Sequence, residues 1–242
     1  MQDQPAVFDS GATWRLIEKN ENGLVFALYS PLFGDVPYKV VRFDHAMQKG
    51  EITFHRDFFF NTRRPVVPLE YPLDELILVR KLAMLGGVEL HACGVEIQNN
   101  AALFIGHSGA GKSTIGNLLK THTSASILSD DRIVAREFAG CLQAFGTPWH
   151  GTAKLAQAKS SKIAALFLLR QASSNCIRRL GPAQAVARLA ACSFMPVYDR
   201  SSMANCLGFL EHLSLSLPVY ELGFYPDEKV VGYVLKHAFP ST

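Results

Sequence analysis

Nowhere in the sequence do roughly 20 apolar residues run without interruption, the length a helix needs to cross a bilayer, so no membrane partner is expected. The opening residues, MQDQPAVFDSGATW, contain neither a basic stretch nor an apolar one. They do not read as a secretory signal, and a cytoplasmic location is expected. The cysteines Cys93, Cys141, Cys176, Cys192 and Cys206 are odd in number, scattered and never paired as C-x-x-C. That argues against a disulfide framework and a zinc knuckle, and leaves reduced thiols. Lysine and arginine nowhere gather into a short basic cluster, and a net charge of +3 spread along the chain does not imply a nucleic-acid partner. Internal repeats and low-complexity tracts are also missing.

What is present is an ordinary globular composition: 242 residues, 48% hydrophobic and 19% charged, enough to bury a core as one large domain or as one domain with a smaller appendage. The first part is rich in Val, Ile, Tyr, Phe and Trp over Trp14 to Glu18, Gly23 to Tyr29, Tyr38 to Phe43 and Glu51 to Phe54. Turn residues separate these runs at Asn20 to Gly23, Pro31 to Pro37 and Gln48 to Gly50. Residues 1–70 therefore read as a meandering β-rich region. The Pro-containing stretch from Arg64 to Pro68 precedes Leu73 to Leu85, where helical spacing ends at Gly86-Gly87. A soft boundary falls near residue 70, with the second domain over 71–242.

Past that helix the pattern becomes that of an α/β protein with a mixed sheet. Val88 to His91 and Gly94 to Ile97 read as a pair of strands, and Ala101 to Ile105 as a third, buried one. Ser113 to Lys120 reads as a helix; Ile127-Leu128, Arg132 to Glu137 and Ala164 to Leu169 read as further strands. Pro182 to Ala191 and Ser202 to Leu213 look helical, with Pro182 suited to a first helical position, and Val219 to Phe224 and Val230 to Leu235 close the domain.

Between the buried strand and the helix runs Gly106-His107-Ser108-Gly109-Ala110-Gly111-Lys112-Ser113, which fits G-x-x-x-x-G-K-[ST] in the strand–loop–helix setting that the motif requires. The glycines allow backbone conformations that turn successive N–H groups inward around a phosphate, and the helix N-terminus adds its dipole. Lys112 would supply a cation to the β- and γ-phosphates of ATP, and the Ser113 hydroxyl would coordinate Mg²⁺, with Thr114 opening the helix. Such chemistry needs a further acidic ligand at a strand end, and Ile127-Leu128-Ser129-Asp130-Asp131 offers two carboxylates. Adjacent residues of an extended segment point to opposite sides, so one can face a metal and the other an acceptor hydroxyl. The residues alone do not say which does which.

In order along the chain, His91-Ala92, GHSGAGKST, LSDDRIV and then Gly146-Thr147-Pro148-Trp149-His150-Gly151 resemble the catalytic domain of bacterial HPr kinase/phosphorylase over about residues 88 to 235. They resemble still more the small HPr-kinase-like proteins that carry a GTPWHG segment, some associated with biosynthesis of ribosomally made peptides. The resemblance implies the phosphate-loop fold shared with phosphoenolpyruvate carboxykinase, and His91 close to the site. It also implies Asp130 as general base on the acceptor hydroxyl, Asp131 and Ser113 as Mg²⁺ ligands, and Lys112 with the loop amides as the triphosphate cradle. Two departures stand out: Thr114 occupies the place of a usual Glu, and GTPWHG replaces a glycine-rich signature loop. The reverse, phosphorylase reaction and HPr itself as acceptor are accordingly not carried over.

The function expected is an ATP-dependent kinase acting on a hydroxyl, chiefly a serine of a peptide or small protein, with residues 1–70 recognising that substrate. A kinase of small alcohols or sugars, and an inactive nucleotide-binding regulatory protein, remain the alternatives; homo-oligomer formation is left open. His150, beside the aromatic Trp149, is placed with the catalytic group because its segment can set an imidazole next to nucleotide or substrate. His107 reads as a variable loop position. Arg170, Arg178, Arg179 and Arg188 are candidates for a phosphate clamp among which the sequence does not choose. Phe58-Phe59-Phe60 reads as core or interface. Cys93 near His91 has no visible third partner for nucleophilic chemistry.

Overall fold

The computed structural model describes residues 5–59, 66–151 and 153–239. Phe60 and the Arg64-Pro65 start of the proline-containing stretch lie outside them. The chain divides into two compact units, Met1–Lys81 and Leu82–Thr242.

In the first unit a five-stranded antiparallel sheet runs in sequence order: β1 (Phe8–Asp9), β2 (Trp14–Asn20), β3 (Gly23–Leu28), β4 (Lys39–Phe43) and β5 (Gly50–Phe54). It is followed by a single turn, α1 (Arg56–Phe59), and by α2 (Leu73–Met84). The aromatic residues that marked these strands pack together: Trp14 meets Phe26 edge-on and Phe58 stacks on Phe33 at 4.0 Å. Phe58 and Phe59 are thus part of this packing, as Phe59 also meets Phe54 edge-on. Lys39 is fully buried, and its ammonium donates to the carbonyls of Val67 and Pro68 and to Glu70 Oε1 at 2.8 Å, which ties residues 67–70 to the sheet. Arg80 and Lys81 donate to the carbonyls of His45 and Ala46. These bonds carry most of α2 with the first unit, so the division falls inside the helix, between Lys81 and Leu82, beyond the boundary read near residue 70.

The second unit is built on a nine-stranded mixed sheet. Its strands are β6 (Gly87–Ile97), β7 (Asn100–Ile105), β8 (Ser126–Ser129), β9 (Arg132–Phe138), β10 (Cys141–Gly146), β11 (Ser160–Gln171), β12 (Cys176–Arg179), β13 (Ser193–Phe194) and β14 (Val219–Phe224). The main order is β10-β9-β6-β7-β11-β14-β12, with β8 and β13 also on β6. Neighbours β7, β11 and β14 are parallel to one another, and the remaining pairings are antiparallel.

Strand alternation sorts the core into two layers. Leu103, Ile105, Leu166 and Leu168 join a cluster with α4 (Pro182–Ala190) and α5 (Arg200–Ser216). Phe104, Phe167 and Leu169 face the opposite way, toward α3 (Lys112–His122) and α6 (Lys229–Ala238). Helices therefore cover both faces, which is why Ala101 to Ile105 of β7 and Ile163 to Leu169 of β11 are apolar without interruption.

One segment differs from the sequence reading, and another receives its element type only here. The pair expected at Val88 to His91 and Gly94 to Ile97 is one continuous strand, β6, because Ala92 and Cys93 are buried ladder residues and no turn intervenes. Gly94 pairs with Leu103 and Ser129 in the ladder, and a Cβ there would meet Ile133 Cδ1 at 2.6 Å, which accounts for a glycine inside the strand. The closing segment at Val230 to Leu235 is the helix α6, whose buried Val230, Val231, Val234 and Ala238 follow helical spacing. No helix among the described residues is long and apolar enough to cross a membrane.

Candidate functional site

The loop Gly106–Gly111 leaves the C-terminal end of β7 and delivers Lys112 into the first turn of α3. Gly109 and Gly111 hold φ values of 80° and 105°, a region open to glycine and costly for side-chain-bearing residues. Gly111 has a second reason to lack a side chain, since a Cβ would meet the Phe224 ring at 2.6 Å. Gly106 is pressed close to Ala110, and Gly116 lets α3 approach β6, where an added Cβ would touch Cys93 Sγ at 2.8 Å. The first turn of α3 carries no acidic residue, so the positive end of its dipole meets the loop uncompensated.

Lys112 is buried, and its ammonium folds back on the loop, donating to the carbonyls of Gly106 at 2.9 Å and His107 at 3.2 Å. It also lies 3.0 Å from His91 Nε2. The same imidazole nitrogen is 3.2 Å from Asp131 Oδ1, so His91 stands between an ammonium and a carboxylate. Burial and the Lys112 charge push the His91 pKa below its ordinary value, while Asp131 pulls it back. Burial likewise lowers the Lys112 pKa against the pull of Asp131. Asp131 further approaches Arg132, whose guanidinium reaches Glu89 at 3.7 Å and lies over the Phe194 ring.

Asp130 and Asp131 form the bend between β8 and β9 rather than part of an extended strand, and Asp130 has different partners. It is 2% exposed, and its two oxygens accept from the backbone amides of Gly151 at 2.8 Å and Ala153 at 3.0 Å. The segment after β10 is sewn to the end of β8 by those bonds, by Ser129 Oγ donating to the Trp149 carbonyl, and by Thr147 Oγ1 donating to the Arg132 carbonyl.

A cavity of ≈ 320 Å³ is bordered by His91, Gly111, Lys112, Ser113, Thr114, Asp130, Asp131 and Gly151, together with Ser108 and Gly109. Most residues singled out in the sequence thus meet around one space. Four do not: Gly106, His107 and Ala110 border a second cavity, with His107 exposed, and His150 is exposed with Nδ1 3.2 Å from the Gly151 carbonyl. Cys93 is fully buried, with burial pushing its pKa to about 12, which leaves no nucleophile there. All five cysteines are free thiols. The involvement of Gly151 and Ala153 amides with Asp130 had no signal in the sequence, because backbone donors carry no residue signature.

Among the described residues no group of three or more His, Cys, Asp or Glu side chains is arranged to hold a metal. Ser113 and Asp131 are oxygen donors bordering the same cavity, which suits Mg²⁺, an ion that takes one or two protein oxygens and fills its shell with phosphate oxygens and water.

No protein-family model matches this chain, and no curated protein does. Among solved structures it is similar to the HPr(Ser) kinase/phosphatase from Coxiella burnetii, at 13% identity and a TM-score of 0.31, over 64% of this chain and 99% of that one. The likeness is a distant one.

Proposed function

We propose that the protein is an ATP-dependent kinase that transfers the γ-phosphoryl group to a hydroxyl, most simply a serine of a peptide or small protein. The observation that carries this reading is the convergence of a glycine loop, the N-terminus of α3, Lys112, Ser113, His91 and Asp131 on one cavity. Backbone amides of the loop and the helix end would hold the β-phosphate. Lys112, now bonded to loop carbonyls, would exchange them for phosphate oxygens. Ser113 and Asp131 would hold Mg²⁺, which neutralises charge on the phosphates when bound. Asp130 is the proposed base on the acceptor hydroxyl; in that role its carboxylate would loosen from the Gly151 and Ala153 amides as the acceptor enters. The sequence resemblance to HPr-kinase-like proteins supports the same roles.

Lys112→Ala tests the reading directly. ATP binding measured by calorimetry is expected to weaken and labelled-phosphate transfer to vanish. An unchanged ATP affinity would remove the loop from nucleotide binding.

A further inference from the structure

The four arginines that the sequence left undistinguished are sorted by the fold. Three converge on Glu221 of β14: Arg188 from α4 on Oε2, Arg178 from β12 at 3.3 Å from Oε1, and Arg170 from the end of β11 at 3.8 Å. Arg179 lies one residue along β12 from Arg178, opposite Tyr220 in the ladder and outside the cluster. Burial works against the charge of Glu221, but hydrogen bonds from Arg188 and Arg178 hold its pKa below the ordinary value. One guanidinium is enough to neutralise one carboxylate, so three against one leave two positive charges in excess.

The arrangement turns that excess outward. The Glu221 side chain is 16% exposed, whereas those of Arg170 and Arg178 are 54% and 58% exposed. Arg188 continues the positive surface inward, because it also borders a cavity of ≈ 400 Å³ whose opposite wall is the glycine loop from Gly106 to Ala110. Leu168, Leu169 and Ala191 give this cavity an apolar floor, and none of its lining residues is acidic. It lies across the loop from Lys112, Ser113 and Asp131, and the two cavities share Ser108 and Gly109 as a common wall.

We propose that the Arg170–Arg178–Arg188 cluster, continuing into the cavity beside the loop, binds an acidic segment of a peptide acceptor. A peptide fits better than a small anion, since sites for small ligands enclose them and two of these cations stand on open surface. Guanidinium groups held in place by Glu221 are already oriented for carboxylates, which lessens the cost of ordering them on binding. Calling the segment part of an acceptor rests on the kinase reading above; the binding itself does not.

The full-length protein would be titrated into fluorescein-labelled hexaglutamate and hexaglutamine, with anisotropy as the readout. Hexaglutamate is expected to bind about 10-fold more tightly or better, and the doubly substituted R170Q/R178Q protein to lose that preference. R15Q/R42Q, which removes the same charge from exposed arginines of the first unit, is expected to bind hexaglutamate as the wild type does. Equal binding of both peptides, no loss in R170Q/R178Q, or an equal loss in R15Q/R42Q overturns the proposal. So does displacement of hexaglutamate by saturating ATP, which would assign the cluster to the nucleotide. R178Q alone, at an exposed position, repeats the test should the double variant fold poorly. Lys112→Ala is expected to bind hexaglutamate normally. If that variant also binds ATP normally, the kinase reading fails while the peptide result stands.

Discussion

Asp130 and Asp131 are adjacent, chemically identical and border one cavity, yet one accepts two backbone amides and the other pairs with His91. Asp130→Asn is expected to keep ATP binding and to lower transfer by about 10²-fold or more, and amide exchange at Gly151 and Ala153 should rise because an amide group can accept for only one of the two N–H donors. Turnover at the wild-type rate would remove Asp130 as the base. Asp131→Asn should instead move the Mg²⁺ titration of activity, and a wild-type titration would take it out of the metal shell. That two carboxylates sit at a strand end was legible from LSDD; their different surroundings were not, because the pair forms a bend after β8 and its partners come from residues some twenty downstream for Asp130 and from His91 on β6 for Asp131. Glu221 shows the same limit. A carboxylate whose folded pKa is depressed stabilises the protein above its unfolded value, near 4.3, and that stabilisation is lost as pH falls through the lower folded value. Glu221→Gln is therefore expected to flatten the fall in urea stability below that pH, and an unchanged pH profile would contradict the pairing.

At the level of elements, the unit that matters is β7, the loop and α3. Its sequence signature is strong because each part is local: an apolar strand, three glycines, then Lys-Ser on a helix. Gly111 adds a constraint from outside the unit, since Phe224 on β14 packs where a side chain would go. Gly111→Ala combines a φ of 105° with that clash, and is expected to cost roughly 1–3 kcal/mol in urea unfolding and to weaken ATP binding. Stability within error of the wild type would show that the loop does not need this backbone. β10, by contrast, was not read from the sequence. Its CLQAFG has little alternation, and it forms because β9 and β11 offer it pairing on both edges.

For the whole molecule, the sequence read as a β-rich region over 1–70 followed by an α/β region, while the chain divides between Lys81 and Leu82 into a unit with a five-stranded antiparallel sheet and one with a nine-stranded mixed sheet. Substrate recognition by the first unit remains a proposal. A chain beginning at residue 71 is expected to bind ATP and lose activity on the peptide acceptor, and full activity would remove the β-sheet unit from recognition. The phosphate-loop pattern, the paired aspartates and the buried character of the central strands were readable in the chain itself, because each depends on residues close in sequence and on the periodicity of local structure. Which carboxylate meets His91 and which meets the Gly151 and Ala153 amides, why His91 lies against Lys112, and which arginines share Glu221 depended on segments distant in sequence being brought side by side. No local pattern encodes a contact whose two halves lie on different strands, and it is the sheet order that joins them.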